Sequence, residues 1–264
     1  MAEFTARDVQ TLRKASGAGM MDAKRALTET DGDFERAATW LREQGLAKAA
    51  TRSDRENVEG AVAAHVTGSV GAIVELKCET DFVAKSDRFT ELADELAELV
   101  ASEGPDAASA RTSDIDDLKL TLKENIELGR VVCFDAAAGA VIDAYVHRQS
   151  GRGVNAVMVE VQDGSVELAH EIALHIASSR PQYLSVEDVP DEVVEAERST
   201  LETLSRNEGK PEQALAKIVE GRLRGWYAER VVLEQKFVKD EKKSIAQLLG
   251  GAMLNRFAQV EIGR

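Results

Sequence analysis

The sequence predicts an α+β protein: an N-terminal three-helix bundle, a duplicated ββα core with antiparallel sheets, and an inserted antiparallel helical hairpin. Three observations carry this. Three short amphipathic segments fall within the first fifty residues. The order of apolar hairpin followed by helix occurs twice, over Ala61 to Val100 and over Ala140 to Ser178. Two long helical stretches after Pro190 are separated only by Gly209-Lys210-Pro211, and so short a turn makes them antiparallel neighbours.

Thr5-Ala6-Arg7-Asp8 has the spacing of a capping box with Asp in place of Glu, and Val9, Leu12 and Ala15 follow on one face. A first helix therefore begins near Thr5. Ser16-Gly17-Ala18-Gly19 stops it, and a second starts near Met20 and ends before Asp31-Gly32. Asp33 caps a third, with Phe34, Ala37, Ala38 and Leu41 inward. Adjacent helical positions point about a hundred degrees apart, so Met20 and Met21 cannot both be hidden. One is expected at the surface, either at the core's edge or as a soft contact for a partner. The polar run Leu46 to Gly60 reads as a tether.

The β-branched run Ala72 to Cys78 pairs with Ala61 to Thr67 as a hairpin. Asp87 to Val100 is an amphipathic helix with Phe89, Leu92, Ala93, Leu96 and Leu99 or Val100 inward, stopped by Gly104-Pro105-Asp106. Asp114 to Asn125 gives another, with Ile115, Leu118, Leu122 and Ile126 on one face. Strands follow at Arg130 to Phe134, Ala140 to Arg148 and Val154 to Val161, then a helix over Val166 to Ser178. That helix buries Leu168 or Ala169, Ile172, Leu174 or His175, and Ile176. In the hairpin, Val193, Val194, Leu201 and Leu204 face Ile218, Leu223 and Trp226, an aliphatic seam that could dock on a partner or make a homodimer. A last helix, Ser244 to Leu249, and a strand, Arg256 to Ile262, close the fold. The expected units are residues 1–55, 56–139 and 140–264, with the hairpin at about 190–230 inside the third.

Thr80-Asp81-Phe82-Val83 connects the first hairpin to its helix, where a rigid scaffold tends to hold function. Phe82 has two readings. It is core, because Phe is among the residues most often buried. Or it is a wedge for a partner's apolar cleft, because burying Phe82 would take the adjacent Asp81 inside unpaired, at high cost. In the second copy Asp163-Gly164-Ser165 stands where the first has Thr80-Asp81-Phe82, so the two copies have divergent jobs.

A net charge of −14 argues against nucleic-acid or anionic-membrane binding. Residues 1–55 are nonetheless balanced, with 10 basic and 9 acidic side chains against 23 and 38 in the remainder, which marks the head as a separate unit. No apolar run approaches the roughly 18 to 20 residues of a membrane span, and the start lacks a signal peptide's apolar middle, so a cytoplasmic location is expected. Cys78 and Cys133 are expected to be reduced, buried small hydrophobes. No phosphate loop, nucleophile elbow or zinc-protease helix occurs, and the four histidines do not cluster at ligand spacing. An enzyme therefore has no site to stand on, and neither cofactor nor metal is expected. An adaptor for peptides or ubiquitin-like partners would explain the head but leave Thr80 to Val83 without purpose.

The stretch Leu12-Arg13-Lys14-Ala15-Ser16-Gly17-Ala18-Gly19-Met20-Met21-Asp22-Ala23-Lys24-Arg25-Ala26-Leu27 resembles the amino-terminal signature of the elongation factor Ts family, and Cys78-Glu79-Thr80-Asp81-Phe82-Val83-Ala84-Lys85 resembles its second signature. Tyr145-Val146-His147, Gly209-Lys210-Pro211, Val219-Glu220-Gly221-Arg222 and Arg256 to Gly263 extend the similarity over the chain. Ser16 departs from the usual Thr, and Gln149 to Asn155 is expected as an irregular loop. The resemblance implies a UBA-like head and a guanine-nucleotide exchange factor for the GTPase elongation factor Tu. It also implies partner contacts by Arg13, Met20, Met21, Thr80, Asp81, Phe82, Val83 and His147, with Asp81 and Phe82 intruding beside the GTPase's magnesium site.

Overall fold

The computed structural model describes residues 4–50 and 55–263. Helices α1 (Ala6–Ser16), α2 (Met20–Glu29) and α3 (Phe34–Ala50) form the head. The capping box at Thr5 and Asp8 is present, Gly17 ends α1 at φ 67°, and the Asp33 carboxylate accepts from the Arg36 N–H. Leu12, Ala23, Ala26, Leu27 and Ala37 make the small core between them. The stretch expected as a tether from Leu46 is helical as far as Ala50, because Leu46-Ala47-Lys48-Ala49-Ala50 holds only good helix formers. Residues 51–54 lie outside the described residues.

Strands β1 (Glu59–Thr67), β2 (Val70–Cys78) and β3 (Glu127–Asp135) form one antiparallel sheet. Helices α4 (Asp81–Ala84), α5 (Asp87–Glu103), α6 (Ala107–Ala110) and α7 (Thr112–Leu122) lie between β2 and β3 in sequence. Strands β4 (Ala140–Gln149), β5 (Arg152–Gln162) and β8 (Met253–Glu261) form the second sheet. Its insertion holds α8 (Val166–Ser179), α9 (Asp191–Asn207), α10 (Glu212–Arg230), a small hairpin of β6 (Lys236–Phe237) and β7 (Asp240–Ser244), and α11 (Ile245–Leu249). The units thus share one plan, a hairpin, a helix across its back, and a third strand returning beside the hairpin's second strand.

Strand alternation sets the layers. Ala72, Val74, Leu76 and Cys78 of β2 pack with Phe89, Leu92, Leu96 and Val100 of α5. Ile73, on the other face, meets Ile142, Ala156 and Met158 of the second sheet. Val157, Val159 and Val161 of β5 turn away toward Ala169, Ile172 and Ile176 of α8. The order is helix, sheet, sheet, helix, and both middle strands are buried on two faces.

The duplication carries a residue-level signature. Glu75 on β2 and Glu160 on β5 are 1% and 2% exposed, and each sits at a register shift against its third strand. Glu75 accepts from the Arg130 N–H at 3.0 Å and pairs with its guanidinium. Gly129 leaves room, since a Cβ there would lie 2.4 Å from Glu75 Oε2. Glu160 accepts from the Ala137 N–H at 3.1 Å, from Asn255 Nδ2 at 3.1 Å and from Arg256 Nε at 2.5 Å. Each arginine then crosses to the opposite sheet: Arg130 Nη2 donates to the Glu261 carbonyl at 3.2 Å, and Arg256 Nη2 to the Asp135 carbonyl at 2.7 Å. The sheets are joined by two equivalent clasps.

Aligning the copies on these glutamates revises the sequence correspondence. Ser165 matches Thr80, and both are N-caps. Val166 and Glu167, not Gly164 and Ser165, therefore take the places of Asp81 and Phe82. Other differences have local causes. The connection Thr80 to Val83 is the cap and first residues of one-turn α4. Helix α7 stops at Leu122 because Lys123 adopts φ 61°, so Asn125 and Ile126 lie beyond it. Gln149 to Asn155 is a tight turn at Ser150-Gly151, with both strands paired around it. The hairpin seam is Leu215, Val219 and Leu223; Leu204 is exposed and Ile218 half-buried. On α8, Ala169 rather than Leu168 and His175 rather than Leu174 are buried beside Ile172 and Ile176. Cys78 is buried, whereas Cys133 is half-buried. The β6–β7 hairpin and α6 left no clear sequence signal, being too short for a periodicity.

Glu160 gives a stability prediction. Burial alone would raise its pKa, but the bonds from Ala137, Asn255 and Arg256 outweigh it and hold the value below the ordinary 4.5. A depressed carboxylate stabilises fully above its ordinary value, and that stabilisation is lost as pH falls through the folded value. Glu160→Gln should lower unfolding free energy by about 1 to 3 kcal/mol at neutral pH. Its stability should also fall less steeply than the parent's below pH 4.5. Denaturant titrations at neutral and acid pH read both.

Candidate functional site

Helix α4 is four residues long, too short to persist on its own. It exists because its surroundings satisfy it. Thr80 Oγ1 accepts from the Val83 N–H at 3.4 Å, Ser86 Oγ donates to the Val83 carbonyl at 2.8 Å, and Ala84 is buried with Val83 packed beside the first core. Between two fixed ends, Phe82 is 83% exposed, so the core reading does not describe it. Asp81, partly exposed, pairs with Lys85 one turn on at 2.5 Å. The Lys85 hydrogen bond holds the Asp81 carboxyl below its usual range.

The turn is fastened from behind by residues that sequence reading did not single out. One Glu124 oxygen accepts from the Glu79 and Thr80 N–H groups, each at 3.1 Å, and the other accepts from Thr80 Oγ1 at 2.5 Å. In return Glu79 accepts from the Asn125 N–H at 2.7 Å and pairs with Arg55 at 3.2 Å. Asn125 Nδ2 donates to the Arg55 carbonyl at 3.1 Å. These pairings span from 24 to 70 residues of chain, which no local periodicity reports.

On the head, the α1–α2 turn presents the other candidates. Met20 is 46% and Met21 70% exposed, and Arg13 is exposed as well. Both methionines thus reach the surface, one more than expected. Arg13 and Met20 line a hollow with Lys14 and Lys123. The head rests on α7 through α3: Gly45 leaves no room for a Cβ beside Leu120, and Arg42 pairs with Asp117 at 3.4 Å. The structure therefore brings Thr80 to Val83 together on one turn and sets the head's Arg13 and Met20 beside Lys123, adjacent in sequence to Glu124. His147 stands apart on β4 of the other sheet, exposed, with Nδ1 3.4 Å from Tyr145 Oη.

His170, His175 and Cys78 have structural partners. His175 is buried against Gln235 at 2.9 Å and accepts from the Val238 N–H, and His170 Nδ1 lies 2.8 Å from Asp143. Cys78 donates to the Thr80 carbonyl at 3.3 Å. Burial, and then the nearby Glu124 charge, push the Cys78 thiol up to about 12. Only the thiolate reacts, so the folded protein is expected to be nearly inert toward alkylation at pH 8. Alkylation of Cys78 by iodoacetamide at pH 8 should therefore track the unfolded fraction across a denaturant series, with parent protein in buffer unlabelled there. Rapid native-state labelling of that residue would contradict the packing.

Comparison with known proteins supplies the family context. A family model described as Elongation factor TS matches residues 79–264, from Glu79, just before the fastened turn, to the last strand and beyond. The chain is 43% identical to the elongation factor Ts of Pseudarthrobacter chlorophenolicus, 44% to that of Mycobacterium bovis (strain BCG / Pasteur 1173P2) and 43% to that of Acidothermus cellulolyticus. In each case 100% of both chains is covered, so the similarity includes the head.

Proposed function

Because the chain belongs to the elongation factor Ts family and is accordingly a translation elongation factor, we propose that it drives GDP release from elongation factor Tu by inserting Asp81 and Phe82 beside that GTPase's magnesium site. The observation that carries this reading is the 83% exposure of Phe82 on a turn whose Thr80, Val83 and Ala84 are anchored. Leaving such a ring in water forgoes about 2 kcal/mol of burial, an expense that makes sense if a partner supplies the cleft.

The mechanism needs no catalytic site of its own. Magnesium demands near-octahedral coordination and bridges nucleotide phosphates to protein oxygens, so displacing the elements that hold it weakens GDP without a covalent step. Phe82 displaces by volume. Asp81 sets a negative charge, already ionised through Lys85, near groups that carry or hold phosphate. Arg13, Met20 and Met21 give the head a soft, cationic contact with the same GTPase, while Thr80 and Val83 fix the wedge and His147 meets the partner from the second unit. By linkage, a factor that lowers GDP affinity must bind the GDP-loaded partner more weakly by the same ratio.

Phe82→Ala should leave stability within about 0.5 kcal/mol of the parent, since the ring is largely exposed in the free chain. It should cost about 2 to 4 kcal/mol at the interface. Thermal unfolding, together with fluorescent GDP release from loaded elongation factor Tu, separates the two. A parent-like release rate would sink the wedge reading.

Asp81→Asn isolates the charge. The expected result is unchanged binding to nucleotide-free partner and slower GDP release at saturating factor, most visibly at high magnesium. Asn remains a good turn residue, so a purely structural Asp81 would leave both measurements untouched. Parent-like off-rates across the whole magnesium titration would assign the work to Phe82 alone.

A further inference from the structure

We propose that Glu124 is the positioning residue for the Asp81-Phe82 wedge, and that Glu124 and Asn125 form the joint holding wedge and head in register. The inference deepens the exchange reading above and rests on it. Glu124 touches neither the exposed ring nor Asp81. It acts through the backbone: one oxygen gathers the Glu79 and Thr80 N–H groups and the other takes the Thr80 hydroxyl. Those donors precede the first turn of α4, where no earlier helical carbonyls exist to accept them. A carboxylate serves here because charge-assisted bonds to it are about twice as strong as neutral ones, and it can accept from three donors at once. Thr80 is thereby held twice, as the donor to Glu124 and as the cap accepting from Val83.

The same short segment reaches the head. Lys123, at φ 61°, turns the chain sharply out of α7 and lines the hollow shared with Arg13 and Met20. Asn125 takes the Arg55 carbonyl, the first described backbone beyond residues 51–54, and bonds through its own N–H to Glu79. Glu79 returns to Arg55 through its guanidinium. Three consecutive residues therefore meet the head's hollow, the wedge's base and the chain returning from the head. A contact made by the head and a contact made by Phe82 are measured from one fixed point. A misplacement of about 1 Å at a reacting site can cost on the order of a hundredfold in rate, so this fixation matters for the rate of displacement more than for the area of contact.

The test is a double-mutant cycle on the full chain, with stopped-flow release of fluorescent GDP from elongation factor Tu over rising factor concentrations. Glu124→Ala should lower the maximal release rate by about tenfold or more while shifting the half-saturating concentration by less than about twofold. In the Phe82→Ala background, the same substitution should change the maximal rate by less than about twofold, because a residue acting through the wedge has nothing left to position. A parent-like maximal rate for Glu124→Ala, or losses that multiply in the double variant, would overturn the assignment. Should Glu124→Ala fail to fold by circular dichroism, Glu124→Asp enters the same cycle and is read the same way, since the shorter side chain keeps the charge but withdraws the carboxylate from the Glu79 and Thr80 donors. If the parent protein itself releases no GDP, the exchange reading has failed, and this inference falls with it.

Discussion

Two glutamates buried between the sheets hold the architecture. A lone carboxylate there would be very costly, and each is made tolerable by backbone N–H groups and an arginine drawn from the third strand. Those arginines do more than neutralise. By donating onward to a carbonyl of the opposite sheet, Arg130 and Arg256 set the distance and orientation of one unit against the other. The apolar layer of Ile73, Ile142, Ala156 and Met158 supplies adhesion without direction, whereas the paired clasps are directional and fix the register.

That fixed frame is what makes a presented aromatic useful. Strand β2 is buried on both faces and ends at Cys78, and the chain turns outward within the next four residues. Everything up to Thr80 is rigid by packing, and everything from Ala84 is rigid by α5, so Phe82 stands on a bridge with two firm abutments. Placing the second support on residues 123–125 ties the Phe82 turn to the end of α7, and hence to the helix on which the head rests.

Much of this was legible in the sequence because it is local. The Thr5 capping box, Gly17 as a stop, the faces of α5 and α8, and Phe82's place at a strand end all follow from spacing within a dozen residues. What escaped was non-local or too short. The spacing of Leu122 and Ile126 continues the α7 pattern as far as Asn125, yet Lys123 leaves the helix and Ile126 is buried as part of the approach to β3. Glu75 and Glu160 look like solvent-facing breaks in apolar strands, and only their arginines, some 55 and 96 residues away in the chain, explain them inside. The Glu124 support was hidden for the same reason.

The duplicated plan has an end at which each unit turns from strand to helix, and the two ends are chemically unlike. One carries Asp81 and Phe82, the other Val166 and Glu167, with Thr80 and Ser165 as matching caps. A body with approximate two-fold symmetry would offer a partner two equivalent ways to approach. On the proposed exchange reading, arming a single end removes that degeneracy: a cleft that takes an aromatic ring would meet this molecule in one orientation, with the second unit fixing its angle of approach.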